Sequence, residues 1–249
     1  SGPFASWEHR HLFREEESGT SRLTDSIRYR LPLGPLGRLF GNPIVIPKLD
    51  RMFRYRHAVT KTDLERRQQH RPPRALSILM TGASGVIGTA LTGYLQTQGH
   101  TVHPVTRTPR HESEIRWNPE AGEIDLPDDL AIDAVIHLAG ENVASGRWNA
   151  ETKHRILESR RLGTRLISRT ISKMTHPPKV LVSASGSGFY RHDGETYDES
   201  GPKGDHFLAD VCEIWESETK TAHEAGIRVV IPRIGVVLTP AGGALKKLL

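Results

Sequence analysis

A glycine-rich stretch, TGASGVIG at residues 81–88, constrains the fold of this chain more than any other feature. It follows a short apolar segment, 76–80, and opens a segment with apolar residues at helical spacing, 86–98. In such a strand–loop–helix unit, the first glycine permits the tight turn and the second lets the backbone approach a pyrophosphate. The third glycine allows the helix to pack closely on the strand, and the free N–H groups of the helix start attract phosphate. The stretch predicts a dinucleotide site, and a purely structural glycine turn is the alternative interpretation.

The remainder of the chain beyond this loop alternates apolar strand-like segments with amphipathic helical segments. Such repeated strand–helix–strand units predict an α/β fold with a doubly wound parallel sheet, the Rossmann architecture. The predicted strands after the first are 101–105, 134–138, 180–183 and 228–231, and the predicted helices are 86–98, 150–174 and 206–225.

A change in composition separates this region from the beginning of the chain. Residues 61–75 are polar and charged and contain Pro72 and Pro73, which is typical of a helix end followed by a linker. We therefore predict a boundary near residue 72, with an N-terminal segment 1–71 and a Rossmann domain 76–249. In the N-terminal segment we predict strands at 4–16 and 21–31 joined by a turn at 17–20, a break at 32–37, and a helix at 43–69.

Composition excludes several classes of protein. Hydrophobic residues make up 36% of the chain, enough for a folded core, and the net charge of +5 is spread along the sequence, with only 6% aromatic residues. This pattern argues against a nucleic-acid partner. A single cysteine, Cys212, fits a reducing compartment, and we find neither a signal peptide nor a membrane-spanning run, so we expect a cytoplasmic protein.

The residue after the second strand bears on the choice of cofactor. An acidic residue there would bind the ribose 2′-hydroxyl of NAD(H), whereas an arginine suits the 2′-phosphate of NADP(H). This chain has Arg107 at that point and no acidic residue before Glu112. We therefore predict NADP(H), with a solvated surface arginine as the alternative.

Further motifs accompany the glycine loop in this part of the chain. They are His137-Leu138-Ala139-Gly140, Glu141-Asn142, Arg147-Trp148, Ser159-Arg160, Phe207-Leu208-Ala209, Trp215-Glu216, Arg233-Ile234-Gly235-Val236-Val237-Leu238 and Gly242-Gly243-Ala244. With its glycine spacing, the region 76–249 resembles the extended short-chain dehydrogenase/reductases, and within them the atypical nucleoside-diphosphate-sugar epimerase-like branch. The resemblance implies that the domain binds NADP(H), that Leu138 and Ala139 line the adenosine side of the groove, and that Arg160 and Val237 contact the cofactor. It also implies a C-terminal substrate subdomain beyond Gly242-Gly243-Ala244, which this chain, ending at Leu249, does not include. The predicted cofactor-binding residues are Gly82, Ser84, Gly85, Val86, Ile87, Gly88, Arg107, Leu138, Ala139, Gly140, Glu141, Arg160 and Val237.

The N-terminal segment carries a second resemblance. Its motifs at 7–11, 29–34 and 51–56 are similar to the last part of a START-like, helix-grip domain. Such domains hold apolar ligands between a curved sheet and a long C-terminal helix. The resemblance covers residues 3–70 and implies an apolar ligand at this segment, although the earlier strands of such a domain are absent.

The catalytic residues depart from the family pattern. Members use a serine or threonine together with Tyr-x-x-x-Lys on one helix face, where the lysine charge favours the phenolate. Alignment on Trp215-Glu216 places Leu208 and Cys212 at the tyrosine and lysine positions. We predict Ser185, at a strand end, and Tyr190 as the catalytic candidates; a small polar turn and a positioning residue are the respective alternatives. Cys212 is better explained as part of a core helix face than as a nucleophile.

The sequence is compatible with three functions. The leading hypothesis is an NADP(H)-binding reductase or epimerase acting on a small molecule, a nucleotide sugar or another carbonyl or alcohol. The second is a binding or sensing module without turnover, and the third is a carrier of an apolar ligand through the START-like segment. The histidines at 100, 103, 192, 206 and 223 lack metal-ligand spacing, so no metal site is predicted. The sequence leaves the oligomeric state open.

Overall fold

The protein is described here by a computed structural model. It describes residues 3–16, 19–70, 72, 74–144, 146–239 and 242–243. The chain divides into two compact units, 1–71 and 72–249.

The N-terminal unit consists of a hairpin and one long helix. Strands β1 (Ser6–Glu15) and β2 (Ser21–Arg30) pair in antiparallel register, and helix α1 spans Gly34–His70. The predicted turn at 17–20 lies partly outside the described residues, which omit 17 and 18.

Helix α1 corrects the prediction for the segment 32–69. We predicted a break at 32–37 and a helix only from residue 43, whereas the helix begins at Gly34. Pro35 lies in the first turn, where the missing N–H has no intrahelical acceptor and the fixed φ suits a helix. The helix also continues through Pro43 and Pro47, each of which removes one internal hydrogen bond.

The second unit contains a seven-stranded sheet. Its order is β10-β8-β7-β3-β4-β5-β6, in which only β6 runs antiparallel to its neighbour. The elements are β3 (Ser77–Thr81), α2 (Val86–Thr97), β4 (Thr101–Thr106), β5 (Ile115–Asn118), β6 (Glu123–Ile124), β7 (Ala134–His137), α3 (Ala150–Ser172), β8 (Val180–Ser183), β9 (Ser185–Gly186), α4 (Phe207–Ser217), α5 (Lys220–Glu224), β10 (Arg228–Val230), β11 (Arg233–Ile234) and β12 (Leu238–Thr239).

This order confirms the predicted α/β Rossmann fold. The six parallel strands follow the order 6-5-4-1-2-3 when counted along the unit, which is the doubly wound dinucleotide-binding arrangement. The chain reverses its direction of travel across the sheet between β3 and β7. Ligands bind at the carboxyl ends of the strands next to such a reversal.

The core of the unit forms where α3, α5 and neighbouring loops cover the sheet. The central strand β3 buries Leu79 and Met80 completely, and α3 buries Ile156, Ile167 and Ile171. These side chains recur on one face of α3, which explains why the helix is amphipathic and lies against the sheet.

The predicted helix at 206–225 is divided into α4 and α5. The Thr219 hydroxyl donates a hydrogen bond to the Glu216 carbonyl at 2.7 Å, satisfying a group at the end of α4. Strands β6, β9, β11 and β12 have two residues each, which is too short to show a pattern in the sequence. Strand β5 was not predicted either, although it is as long as β7 and β8 and has buried residues at alternate positions. Over the described part of the chain, no helix combines the length and apolar character required to cross a membrane.

Candidate cofactor-binding site

The glycine loop lies at the reversal point, between the carboxyl ends of β3 and β7. Gly82 has a φ of +69°, a left-handed conformation that L-residues rarely adopt. A β-carbon at this position would lie 2.8 Å from the Leu138 carbonyl carbon and 2.9 Å from the Ala139 nitrogen. Only glycine therefore lets the loop lie directly against the segment that follows β7.

The start of α2 presents open backbone donors. Gly85 precedes the helix in an extended conformation, and no side chain caps the helix there. Ser84, Gly85 and Val86 are exposed, and Ile87 is half-buried. The first N–H groups of a helix lack intrahelical acceptors and carry the positive end of its dipole. This end of α2 can therefore receive an anionic group.

Gly88 fixes the helix against its own loop. A β-carbon here would lie 2.1 Å from the Gly82 carbonyl oxygen and 2.7 Å from the Ala83 α-carbon. The Gly82 carbonyl is also the acceptor for the Gly85 N–H at 3.0 Å. The close approach of helix and loop at this point leaves no space for a side chain.

Three buried side chains connect the strand ends to α3. Thr81 Oγ1 lies 2.7 Å from His137 Nδ1, and His137 Nε2 lies 3.1 Å from Thr164 Oγ1. Burial and, to a lesser extent, the Arg160 charge lower the pKa of His137 to about 4. The imidazole is therefore neutral near pH 7, and it bridges two hydroxyls in the protein interior.

The segment after β7 is held by α3. Thr81 Oγ1 accepts hydrogen bonds from the backbone N–H groups of Leu138 and Ala139. The Glu141 N–H donates to Ser159 Oγ at 3.0 Å, and Arg160 Nη1 donates to the Glu141 carbonyl at 3.0 Å. Both backbone groups of Glu141 are thus used by neighbouring residues of one helix.

Arg160 is nearly buried beside this segment. Its guanidinium lies 4.8 Å from the centre of the Trp215 ring, and a β-carbon on Gly140 would lie 3.1 Å from the guanidinium carbon. Burial lowers the pKa of Arg160. The described contacts of Arg160 hold the Glu141 segment in place. They also put the positive charge of the guanidinium next to Gly140.

Arg107 follows β4 directly and is exposed. Among the described residues it has no ion-pair or hydrogen-bond partner for its side chain. The neighbouring strand β3 leads into the glycine loop, so the loop and Arg107 stand at the same edge of the sheet. A free guanidinium at this edge can bind an additional phosphate.

A second polar cluster follows β8 and β10, and we call it the Glu216 cluster: Ser185, Tyr190, Glu216 and Arg233. Arg233 binds both carboxylate oxygens of Glu216 at 2.9 Å, and Ser185 Oγ donates to the same carboxylate at 2.6 Å. Arg233 Nη1 also donates to the Tyr190 hydroxyl at 2.9 Å. The Glu216 carboxylate is the main cause of a raised pKa for Arg233, which stays charged.

The two predicted catalytic residues therefore have different surroundings. Ser185 is 3% exposed and its hydroxyl is engaged by Glu216. Tyr190 is half-buried, and its oxygen accepts a hydrogen bond from Arg233, which leaves the phenolic hydrogen free for another acceptor. Sequence reasoning missed the roles of Glu216 and Arg233, although both lie in motifs that carry the family resemblance.

Helix α4 carries the two residues at the missing tyrosine and lysine positions. Leu208 packs towards Gly188, where an added β-carbon would lie 3.2 Å from the Leu208 β-carbon. Cys212 is buried, and burial raises the pKa of its thiol. Neither side chain can replace the phenol or the ammonium group.

The chain returns to the glycine loop near the end of the unit. Val237 is half-buried, and a β-carbon on Gly242 would lie 2.5 Å from Val86 Cγ2. Residues 238 and 239 pair with 243 and 242, which brings this hairpin over the first turn of α2. Ala244, the last residue of the corresponding motif, lies outside the described residues.

Known proteins resemble the chain at the level of family and structure. The family model for the NAD dependent epimerase/dehydratase family matches residues 78–241. The epimerase family protein Mb2239 of Mycobacterium bovis is 39% identical over 173 residues, which is 69% of this chain and 57% of that protein. The chain thus spans less than three fifths of this curated relative.

Two solved structures extend the likeness. The nucleoside-diphosphate sugar epimerase from Corynebacterium glutamicum has a TM-score of 0.78 at 34% identity, over 99% of this chain and 50% of that one. The human epimerase family protein SDR39U1 (isoform 2), solved with NADPH, has a TM-score of 0.63 at 36% identity, over 70% of this chain and 58% of that one.

Proposed function

The chain belongs to the NAD-dependent epimerase/dehydratase family, and from that membership we propose that it binds NADP(H) and transforms a small carbonyl or alcohol substrate. The choice of NADP(H) depends on the exposed Arg107, whose side chain has no partner among the described residues. Arg107 follows β4 and lies at the same edge of the sheet as the glycine loop. The uncapped start of α2 suits the pyrophosphate. The binding of NADPH by human SDR39U1, a relative at 36% identity, supports the proposal.

The proposed cofactor site follows the sequence predictions. The loop residues Gly82, Ser84, Gly85, Val86, Ile87 and Gly88 would receive the pyrophosphate. Leu138 and Ala139 would line the adenosine side, with Gly140 and Glu141 continuing the wall of the groove. Arg160 and Val237 would contact the cofactor, as the family resemblance implies, and Arg160 also holds the Glu141 backbone.

We expect Arg107→Ala to weaken NADPH binding about 10- to 100-fold, which is the value of a charge-assisted phosphate contact. The affinity for NADH, which lacks the 2′-phosphate, should change less than about threefold on the same basis. Isothermal titration calorimetry with both cofactors measures the difference. Arg110→Ala, a nearby arginine on the same loop, is the matched control and should change neither affinity. Equal losses for NADPH and NADH in Arg107→Ala would contradict the proposed role.

The substrate class is a further proposal. The Corynebacterium glutamicum protein is a nucleoside-diphosphate sugar epimerase, and it is similar to this chain over both units. We propose a nucleotide sugar or a related carbonyl or alcohol as the substrate. Because related folds host many reactions, this assignment depends on family analogy.

We propose Tyr190 as the group that exchanges a proton with the substrate. Bound NADP(H) would supply or accept the hydride. The Arg233 guanidinium, 2.9 Å from the Tyr190 oxygen, would stabilise the negative charge left there when the proton departs. Arg233 would thus take the place of the lysine that the family pattern puts near its tyrosine. Glu216 would act as a positioning residue, because its carboxylate binds Arg233. Ser185 would act through its hydrogen bond to that carboxylate.

Tyr190→Phe is expected to lower NADPH-dependent turnover about 100-fold, as the loss of a general acid does, with cofactor affinity unchanged. A panel of carbonyl compounds and nucleotide sugars, followed by NADPH absorbance, identifies the reaction to be measured. Tyr197→Phe is the matched control, because its ring stacks on Tyr190 at 5.8 Å while its hydroxyl bonds to Asp193. Full activity in Tyr190→Phe would exclude the role. Tight NADPH binding without turnover of any compound would favour the sensing or binding module instead.

The START-like role of the N-terminal unit is a separate proposal. Two antiparallel strands followed by a long helix match the order in which a helix-grip domain ends, and the strand residue Trp7 is 41% exposed. An apolar ligand would lie against such surfaces. Native mass spectrometry of the chain with a fatty acid tests this role, and an absence of complex would count against it.

A further inference from the structure

The N-terminal unit brings three histidines around one carboxylate. His9 and His11 are two residues apart on β1, so their side chains share one face of the hairpin. Asp25 is directly opposite His11 in the register of β2, and His57 reaches the same point from α1. We call this group the Asp25 cluster.

The distances within the cluster are short. His9 Nε2 and His11 Nδ1 each lie 2.7 Å from Asp25 Oδ1, and His57 Nε2 lies 2.6 Å from Asp25 Oδ2. Ligand atoms of His9, His11 and Asp25 all lie within 4.8 Å of one another. Two imidazole nitrogens and one carboxylate oxygen therefore converge on one small region from two paired strands.

The Asp25 cluster places a carboxylate inside a unit that has few buried apolar side chains. The Asp25 side chain is 3% exposed, whereas the His11 side chain is 39% exposed. A buried carboxylate without a strong partner is costly. Its ionised form is what a metal cation binds.

The described residues of this unit bury few apolar side chains. Leu31 is the one described hydrophobic residue of the unit that is buried, and α1 buries no described residue.

We propose that His9 Nε2, His11 Nδ1 and Asp25 Oδ1 bind a divalent transition-metal ion of the Zn²⁺ type. Two imidazoles with one carboxylate suit Zn²⁺, Co²⁺ or Ni²⁺, and the nitrogen ligands disfavour Mg²⁺ and Ca²⁺. Small shifts of the side chains would open the present hydrogen bonds to admit the ion. A water molecule would complete the coordination on the exposed side, next to His11.

His57 has a different part in the proposed site. Its Nε2 binds the other oxygen of Asp25, so it orients the carboxylate and connects α1 to the site. The His9 ring also packs against Phe53 in a T-shaped arrangement with ring centroids 5.3 Å apart, which restrains its orientation. The metal would thus join β1 to β2 directly and α1 through Asp25. Its role would be to stabilise this unit.

The test uses the full chain without any histidine tag, stripped with a chelator and titrated with Co²⁺. We expect one equivalent to bind with visible d–d absorption, Zn²⁺ to displace it, and either ion to raise the temperature of a thermal transition. The double variant His9→Gln/His11→Gln should lose the absorption. His57→Gln should retain it with an affinity lowered about 10- to 100-fold, as for other groups that orient metal ligands.

His192→Gln is the matched control, because His192 belongs to the other unit, where its ring stacks on His206 at 4.2 Å in a histidine pair. It should bind Co²⁺ as the unaltered chain does. Absence of d–d absorption in the unaltered chain would overturn the proposal. Absorption that persists in the double variant, or that disappears in His192→Gln, would also overturn it. The cluster would then be a set of hydrogen bonds that neutralises Asp25 without a metal.

Discussion

Replacing Gly85 by aspartate is expected to abolish NADPH binding while the protein stays folded. Gly85 has a φ of −74°, which any residue can adopt, and its position is exposed. A β-carbon there would meet only the Gly82 carbonyl oxygen, at 3.2 Å, a contact that small backbone shifts relieve. The added carboxylate would stand at the helix start that we assign to the pyrophosphate. Like charges about 4 Å apart near a protein surface repel by about 4 kcal/mol, which corresponds to a loss of about 1,000-fold.

Calorimetry with NADPH measures this loss, and thermal unfolding verifies that the fold is retained. Gly85→Ala separates size from charge: it adds the β-carbon alone and should weaken binding far less than the aspartate. If Gly85→Asp bound NADPH as tightly as the unaltered chain does, the pyrophosphate could not lie at the start of α2. If both variants lost binding equally, steric closure of the loop would be the cause and charge would not.

Gly88→Ala is expected to destabilise the Rossmann unit by more than about 4 kcal/mol, the range reserved for severe packing conflicts. The added carbon would lie 2.1 Å from the Gly82 oxygen and 2.7 Å from the Ala83 α-carbon, and both are backbone atoms that cannot rotate away. The loop would have to open, or the helix would have to move away from the loop. Urea denaturation followed by tryptophan fluorescence measures the free energy of unfolding.

Gly93→Ala is the matched control in the same helix. A β-carbon on Gly93 meets no atom within 4 Å, and the residue is exposed. Because alanine favours the helix over glycine, this variant should stabilise the unit by about 0.5 to 1 kcal/mol. A Gly88→Ala protein as stable as Gly93→Ala would show that α2 can move away from its loop at little cost.

The Rossmann unit could be predicted well from the sequence because its signals are local. The glycine loop, the buried strand before it and the amphipathic helix after it all lie within residues 76–98, and each has its own pattern. The position of Arg107 follows from the end of the next strand. The start of α1 could not be predicted in the same way, because Pro35 and Gly34 occur both in loops and in first turns of helices.

The polar clusters could not be predicted because they depend on contacts between distant residues. Glu216 meets Arg233 across 17 positions, and Asp25 meets His57 across 32. No local spacing encodes either pair. The pairing of His11 with Asp25 is more local, because it follows from the register of the hairpin. That register could have been predicted only if the geometry of the turn had been known.

The glycine loop is held by the hydrogen bonds of Thr81 and by the close contact of Gly82 with Leu138 and Ala139. These contacts affect the kinetics of cofactor binding. Thr81 Oγ1 receives two backbone N–H groups from the neighbouring strand end, next to the glycine loop. A loop held in this way would not need to become ordered on binding the proposed dinucleotide, so little conformational entropy would be lost there. We therefore expect the association rate constant of a cofactor to be close to that for a rigid, preorganised site. Differences in affinity among cofactors should arise mainly from their dissociation rates.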